Sequence, residues 1–167
     1  MKTLHLLRHA KSSWDEPGLA DRDRPLNRRG QRDAPRMGSV LARRLQPMTI
    51  AVSPARRAQL TLEGLCVGWP ALGDVQHTTE EDLYTFSAGG LHNWIASQDD
   101  TDPALFQIGH NPALTDLVNA LCSGHCLDNL PTAGYAELVL RIDHWRELGH
   151  GCATLEFSLF PKQLADD

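Results

Sequence analysis

Thr3-Leu4-His5-Leu6-Leu7 is a short apolar run that stops at Arg8-His9. Its length and the polar Ser, Asp, Gly and Pro segment that follows, as far as Leu26, make it a buried strand over Lys2–Leu7 rather than a helix. A strand ending in Arg-His delivers a guanidinium and an imidazole together onto one edge of a sheet. The arrangement recurs along the chain. Thr49–Val52 reads as a strand and is followed by Ser53-Pro54-Ala55-Arg56-Arg57-Ala58. Ala104–Ile108 reads as another, followed by Gly109-His110-Asn111-Pro112.

Between these runs the apolar period changes to that of helices. Ala34, Met37, Val40, Leu41 and Leu45 follow Asn27, a good helix N-cap, and Pro35 within them predicts a kink or a fresh start. Ser53 is expected to cap the next helix with Pro54 at its first position, and Leu60, Leu62 and Leu65 form its apolar side. Leu91, Trp94 and Ile95 mark a short helix, and Ala113–Leu121 another. A weaker strand is expected near Asp74–Thr78, and closing strands over Tyr135–Ile142 and Ala153–Leu159. Alternation of this kind predicts an α/β domain. In such sheets ligands bind beyond the carboxyl ends of the strands, where Arg8, His9, His110 and the Arg56-Arg57 pair all fall.

The chain has 167 residues, 41% hydrophobic and 22% charged, which suits one soluble globular domain over 1–167, with 160–167 read as a frayed tail. No apolar stretch approaches the roughly 18 to 20 residues that span a bilayer, and the N-terminus lacks a signal-peptide pattern. A cytoplasmic protein with reduced thiols and no membrane partner is expected. Cys122, His125 and Cys126 form a loose group, but no second pair completes four ligands, so no metal is expected there. His5, His77, His92, His125, His144 and His150 share no ligand spacing, and His5 is expected to pack within its strand or lie at an edge. Charge is asymmetric. Residues 1–57 carry 13 Lys and Arg against 5 Asp and Glu, and the remainder 3 against 16. The basic part lacks a Lys-rich tail or interleaved aromatics, which favours attraction of a phosphorylated substrate over nucleic acid.

Two arginines and two histidines just past apolar runs suit phosphoryl transfer, which needs positioning and charge stabilisation of three equatorial oxygens. Arginine supplies forked donors with a permanent charge. His110, if protonated beside the phosphate, is a third donor, and the helix starting near Ala55 could aim its amides at the same anion. His9 is the candidate nucleophile, provided that one ring nitrogen is unprotonated and the other donates to a carbonyl. Lys11, Ser12, Ser13 and Asn111 lie close enough in sequence to be candidate substrate contacts. No cofactor is expected.

Leu6-Leu7-Arg8-His9-Ala10-Lys11-Ser12-Ser13-Trp14 resembles the opening of the histidine phosphatase superfamily, in its small phosphohistidine phosphatase SixA-like branch. Asp23-Arg24-Pro25-Leu26-Asn27-Arg28-Arg29-Gly30, Ser53-Pro54 through Arg57-Ala58, and Gly109-His110-Asn111-Pro112 resemble its later signatures in the same order. The resemblance runs to about residue 132. It implies a phosphoglycerate mutase-like fold, a three-layer α/β/α sandwich with a mostly parallel central sheet. It implies His9 as the phosphorylated residue, with Arg8, Arg57 and His110 in the phosphate pocket. Arg57 is chosen over Arg56 because the family pattern sets the pocket arginine directly before Ala58. Glu80-Glu81-Asp82 lies near where larger members carry a general acid, which makes Glu81 and Asp82 the candidates for it. Ala10 departs from the glycine of many members and matches the small branch.

The expected function is therefore a metal-independent phosphatase, with a phosphohistidine-bearing protein as the leading substrate. A phosphatase for small phosphate esters or anhydrides is the alternative. A phosphoglycerate mutase role fits less well, because the chain lacks the extra length that encloses a small substrate. A phospho-binding module without turnover would have no need of His9.

Overall fold

The computed structural model describes residues 1–165, and its architecture follows from which face each apolar side chain takes. In β1 (Lys2–Arg8), Leu4 and Leu6 enter one core and Leu7 the other, so the strand is buried on both faces. Burial on both sides is the mark of a central strand in an α/β sheet. The six strands are β1, β2 (Ala51–Val52), β3 (Thr78–Thr79), β4 (Ala104–Gly109), β5 (Tyr135–Leu140) and β6 (Ala153–Leu159). They lie in the order β3-β2-β4-β1-β5-β6. The first four run parallel, while β5 pairs antiparallel with β1, and β6 antiparallel with β5.

Helices α1 (Arg28–Arg44), α2 (Arg56–Gly68) and α3 (Pro70–Gly73) cover one face through Ala34, Met37, Leu41, Ala58, Leu65 and Leu72. Helices α4 (Ala88–Ala96) and α5 (Ala113–Leu121) cover the other through Leu91, Ile95, Leu114, Leu117 and Val118. This is a three-layer α/β/α sandwich in one domain. No helix among the described residues is long and apolar enough to cross a membrane.

α1 starts as read from the sequence: the Asn27 side chain accepts the Gly30 amide at 2.9 Å. It then runs on through Pro35 without a fresh start. α1 and α2 approach so closely that a Cβ on Gly38 would lie 2.2 Å from the Leu65 carbonyl oxygen, and one on Gly68 1.9 Å from that of Pro35.

Several expectations are corrected. The third strand lies at Thr78–Thr79, later and shorter than Asp74–Thr78. The N-cap of α2 is Ala55 and carries no side-chain cap, because Ser53 stands outside the helix. His5, by contrast, takes the first of its two expected places, packed within a central strand. Its ring packs beside those of Phe106 and Tyr135, and Nδ1 donates to the Tyr135 hydroxyl at 2.6 Å. The tail is not frayed over Phe160–Ala165. Pro161–Gln163 forms a 3-10 turn, and the Arg36 guanidinium donates to the Ala165 carbonyl at 2.7 Å. The rest of that expectation, at Asp166 and Asp167, lies outside the described residues.

Candidate active site

Three neighbouring parallel strands, β2, β4 and β1, end side by side, and the residue after each turns into the same space. β1 ends in Arg8 and yields His9; β4 yields His110; β2 yields Ser53. The strand ends are tied across the sheet, with the His9 amide donating to the Gly109 carbonyl and the Ser53 amide to that of Ile108, both at 3.1 Å. Arg57 enters from the first turn of α2. Thr61, one turn further, receives the Ala10 amide at 2.9 Å and donates its hydroxyl to the Arg57 carbonyl at 2.7 Å. This locks the loop after β1 to α2. From the opposite side the Ala133 amide donates to the carbonyls of both Arg8 and His9 at 3.0 Å. Ala133 takes φ +59° to do so, a strained conformation for a residue with a Cβ.

The His9 ring lies 5.2 Å from that of His110, centroid to centroid. His9 Nδ1 is 2.7 Å from the Ala10 carbonyl oxygen. A carbonyl only accepts, so Nδ1 carries the proton and Nε2 keeps its lone pair. Burial, chiefly, with the neighbouring charges Arg57 and Arg8, brings the His9 imidazole down to about 3 despite the opposing Ala10 hydrogen bond. It is a neutral ring with a defined tautomer.

His110 is neutral as well. Burial first, then the Arg57 charge, bring it down to about 3. Arg57 Nη2 lies 3.4 Å from His110 Nδ1, and since guanidinium only donates, that nitrogen accepts. The ring proton is then on Nε2, which donates to Ser53 Oγ at 2.7 Å. In the free protein, desolvation beside a cation disfavours a second charge on His110; the expectation of a protonated donor concerns the phosphate-bound state.

Arg57 is 2% exposed. Its Nη1 donates to the Asp21 carbonyl at 2.7 Å and its Nη2 to Asp21 Oδ2 at 3.0 Å. Arg8 Nη1 donates to the Leu130 carbonyl at 3.1 Å. In both arginines Nε is buried and has no hydrogen-bond partner among the described residues. Two buried, unsatisfied N–H groups of fixed positive charge beside a neutral imidazole are suited to oxygens of an anion.

The other candidates fare differently. Asn111 shares the Leu130 carbonyl with Arg8 Nη1, but its own side chain is fully engaged within the protein. Its amide donates to Asn129 Oδ1 and the Leu130 carbonyl, and its oxygen accepts from the Thr115 amide and hydroxyl, so it ties α5 to the 129–130 segment. Ser12 Oγ accepts from Arg24 at 3.0 Å, and Ser13 Oγ from the Asp15 amide at 3.1 Å, which leaves both holding their own loop. Lys11 receives the Asn27 amide on its main-chain carbonyl at 3.0 Å. Glu81 and Asp82 lie in an exposed 3-10 turn. The Arg22 guanidinium, 2.6 Å from Glu81 Oε1, holds that carboxyl below the usual range, the opposite of what a general acid needs. Arg56 is exposed.

Four residues near the site escaped the sequence reading. Asp21 and Ser53 contact Arg57 and His110 directly, while the Tyr84 and Phe86 rings lie 5.3 Å and 5.4 Å from that of His110. The sequence marks Ser53 only as a helix cap, and Asp21 opens a single 3-10 turn, Asp21–Asp23, that carries no periodic signal. Phe86 is 48% exposed, and so is Trp14, at 71%, whose ring stacks on Arg24. Among the described residues, no group of three or more His, Cys, Asp or Glu is arranged to hold a metal ion.

The family model of the histidine phosphatase superfamily (branch 1) matches residues 4–114. The uncharacterised protein Rv1276c of Mycobacterium tuberculosis is 34% identical over 160 residues, covering 89% of this chain and 96% of that protein. Among solved structures, one from Agrobacterium tumefaciens assigned as a phosphohistidine phosphatase SixA is 28% identical, with a TM-score of 0.77. It spans 96% of this chain and 98% of its own. The protein histidine phosphatase SixA complexed with tungstate shares the fold at a TM-score of 0.77 and 21% identity, over 96% of this chain and 97% of that one. A mycobacterial glucosyl-3-phosphoglycerate phosphatase shares it at 0.69 and 16%, over 94% and 98%.

Proposed function

The chain belongs to the histidine phosphatase superfamily, whose membership supports phosphatase activity, and from that premise we propose that it removes the phosphoryl group from phosphohistidine in a protein without a metal ion. The observation that carries this reading is the His9 tautomer. With its proton held on Nδ1 by the Ala10 carbonyl, the Nε2 lone pair is free to attack phosphorus. In the first step a His9 Nε2–P bond forms and the bond from phosphorus to the substrate nitrogen breaks. That electron pair leaves with the substrate imidazole, which takes its proton from water. In the second step water attacks phosphorus, the electron pair of the Nε2–P bond returns to His9, and phosphate is released.

Arg8 and Arg57 would meet the phosphoryl oxygens through their buried Nε groups and stabilise the charge that spreads over them. His110, neutral in the free protein, would gain its proton when the phosphate dianion arrives, since a nearby anion favours imidazolium. An imidazole leaving group asks less of a carboxylic acid than an alkoxide does, in keeping with a Glu81 that is held as an ion by Arg22. The exposed Trp14 and Phe86 near the site suit a macromolecular substrate better than an enclosed small one.

The test is turnover of a phosphohistidine protein in the presence of a chelator, beside a panel of small phosphate esters. Preference for the protein by at least about a hundredfold in kcat/KM is expected. Preference for an ester would move the substrate class to small molecules and leave the site chemistry unchanged.

A further inference from the structure

Asp21 has no part in the two steps above, yet both outer nitrogens of Arg57 end on it, Nη1 on its carbonyl and Nη2 on its carboxylate. The carboxylate is itself held from other directions. Oδ1 accepts from Arg24 Nη2 at 3.1 Å, and Oδ2 from the Tyr84 hydroxyl at 2.5 Å. Arg24 is buried, donates to Ser12 Oγ at 3.0 Å and stacks on the Trp14 ring at 3.5 Å. Burial would push the Asp21 carboxyl up, but the hydrogen bonds from Tyr84, Arg57 and Arg24 outweigh it and bring it down to about 2.

An anion sitting on a substrate-binding arginine is either a plug that leaves when phosphate arrives or a fixture that stays. Three donors from three separate segments restrain the carboxylate. The carbonyl contact to Nη1 would persist even if the carboxylate moved. With the Nη1–Nη2 end of the guanidinium taken, Nε points elsewhere, buried and without a partner.

We infer that Asp21 is a positioning residue for phosphoryl transfer, which fixes Arg57 so that its Nε edge meets the phosphoryl oxygens and whose charge limits how tightly product phosphate is held. The inference rests on the phosphatase reading and deepens it. Without the carboxylate, Arg57 keeps its charge and the main-chain contact at Nη1 but loses the contact that fixes Nη2, so its orientation loosens while the local potential becomes more positive. Anion affinity and turnover then change in opposite directions, which simple loss of structure would not produce.

The experiment uses the full chain, tungstate as the anion probe and p-nitrophenyl phosphate as a substrate that makes no demand on protein docking. Asp21→Asn is expected to tighten tungstate binding about tenfold, or about 1.4 kcal/mol, and to lower kcat about tenfold or more, with KM falling too. Tyr84→Phe removes one donor and leaves the Arg57 contacts in place, so a smaller fall in kcat, about threefold, is expected with a melting temperature near wild type. Asp21→Asn with kcat unchanged or raised would overturn the inference in favour of a displaceable plug. Weaker tungstate binding together with lower kcat would overturn it in favour of a structural role. A wild-type protein that neither binds tungstate nor turns over phosphohistidine protein or ester would overturn the phosphatase reading, and this inference with it.

Discussion

At the residue scale the proposed phosphoryl transfer depends on which nitrogen of His9 carries the proton. The Ala10 carbonyl fixes it on Nδ1, and burial next to Arg8 and Arg57 keeps the ring neutral. Nitrogen-15 NMR of labelled protein is expected to show His9 uncharged, with Nδ1 protonated, from pH 5 to 8; an imidazolium at pH 6 would contradict it. Removing the Ser53 hydroxyl should act through His110. Ser53→Ala takes away the acceptor of its Nε2 proton, and a fall of about tenfold in kcat with a smaller change in stability is expected. Arg8, His9, His110 and the Arg56-Arg57 pair were legible in the sequence because they follow strand ends, whereas the choice of Arg57 within the pair came with the family resemblance. Asp21 and Ser53 were not, since their contacts to Arg57 and His110 span 36 and 57 residues and no local pattern encodes them. The partners of Asn111 are equally hidden from the sequence: it follows His110, but its side chain is engaged with Thr115, Asn129 and Leu130.

At the element scale the site depends on α1 and α2 standing close enough for Arg57 and Thr61 to reach the β1 loop. Gly38→Ala would set a Cβ against the Leu65 carbonyl and force the helices apart. A loss of about 3 kcal/mol in chemical denaturation is expected, with a fall in kcat as Arg57 shifts. Gln107 is a different case. It is fully buried in β4, and neither atom of its amide has a partner among the described residues. Gln107→Leu is expected to stabilise the protein by about 1 to 2 kcal/mol, because an unsatisfied buried amide costs more than an apolar side chain of similar size. A destabilised variant would show that the amide is satisfied in solution. The longer apolar runs announced β1, β4, β5 and β6 well. The two-residue β3 carries almost no hydrophobic pattern, so its register could not be read. Pro35 was weighed as a helix breaker, but packing against α2 overrides that local preference.

At the scale of the whole molecule the two neutral histidines tie stability to pH. Both are depressed to about 3, below the ordinary 6.5. Between those values the unfolded chain binds protons that the folded chain does not, so stability is full above about pH 6.5 and falls as pH drops toward 3. Each histidine contributes a slope of ~1.4 kcal/mol per pH unit within that window. His9→Gln should remove one such slope, so the difference in unfolding free energy between variant and wild type grows in the variant's favour as pH falls. A difference that is constant with pH would mean that His9 titrates normally in the folded protein. The fold class was the easiest property to read, since alternating strand and helix patterns leave few other topologies. The charge asymmetry was only partly informative: the basic N-terminal segment supplies Arg8 and Arg57, but also Arg29, Arg32 and Arg36 around the buried Asp33 of α1.

The most direct test of the account is to trap the covalent intermediate. The protein is mixed with a radiolabelled phosphohistidine protein in the presence of a chelator, quenched within milliseconds at alkaline pH, and digested for peptide mapping. The account predicts acid-labile, alkali-stable label on the peptide that holds His9, appearing before free phosphate and absent in His9→Ala. Release of phosphate at the wild-type rate by His9→Ala, or label on another residue, would contradict it.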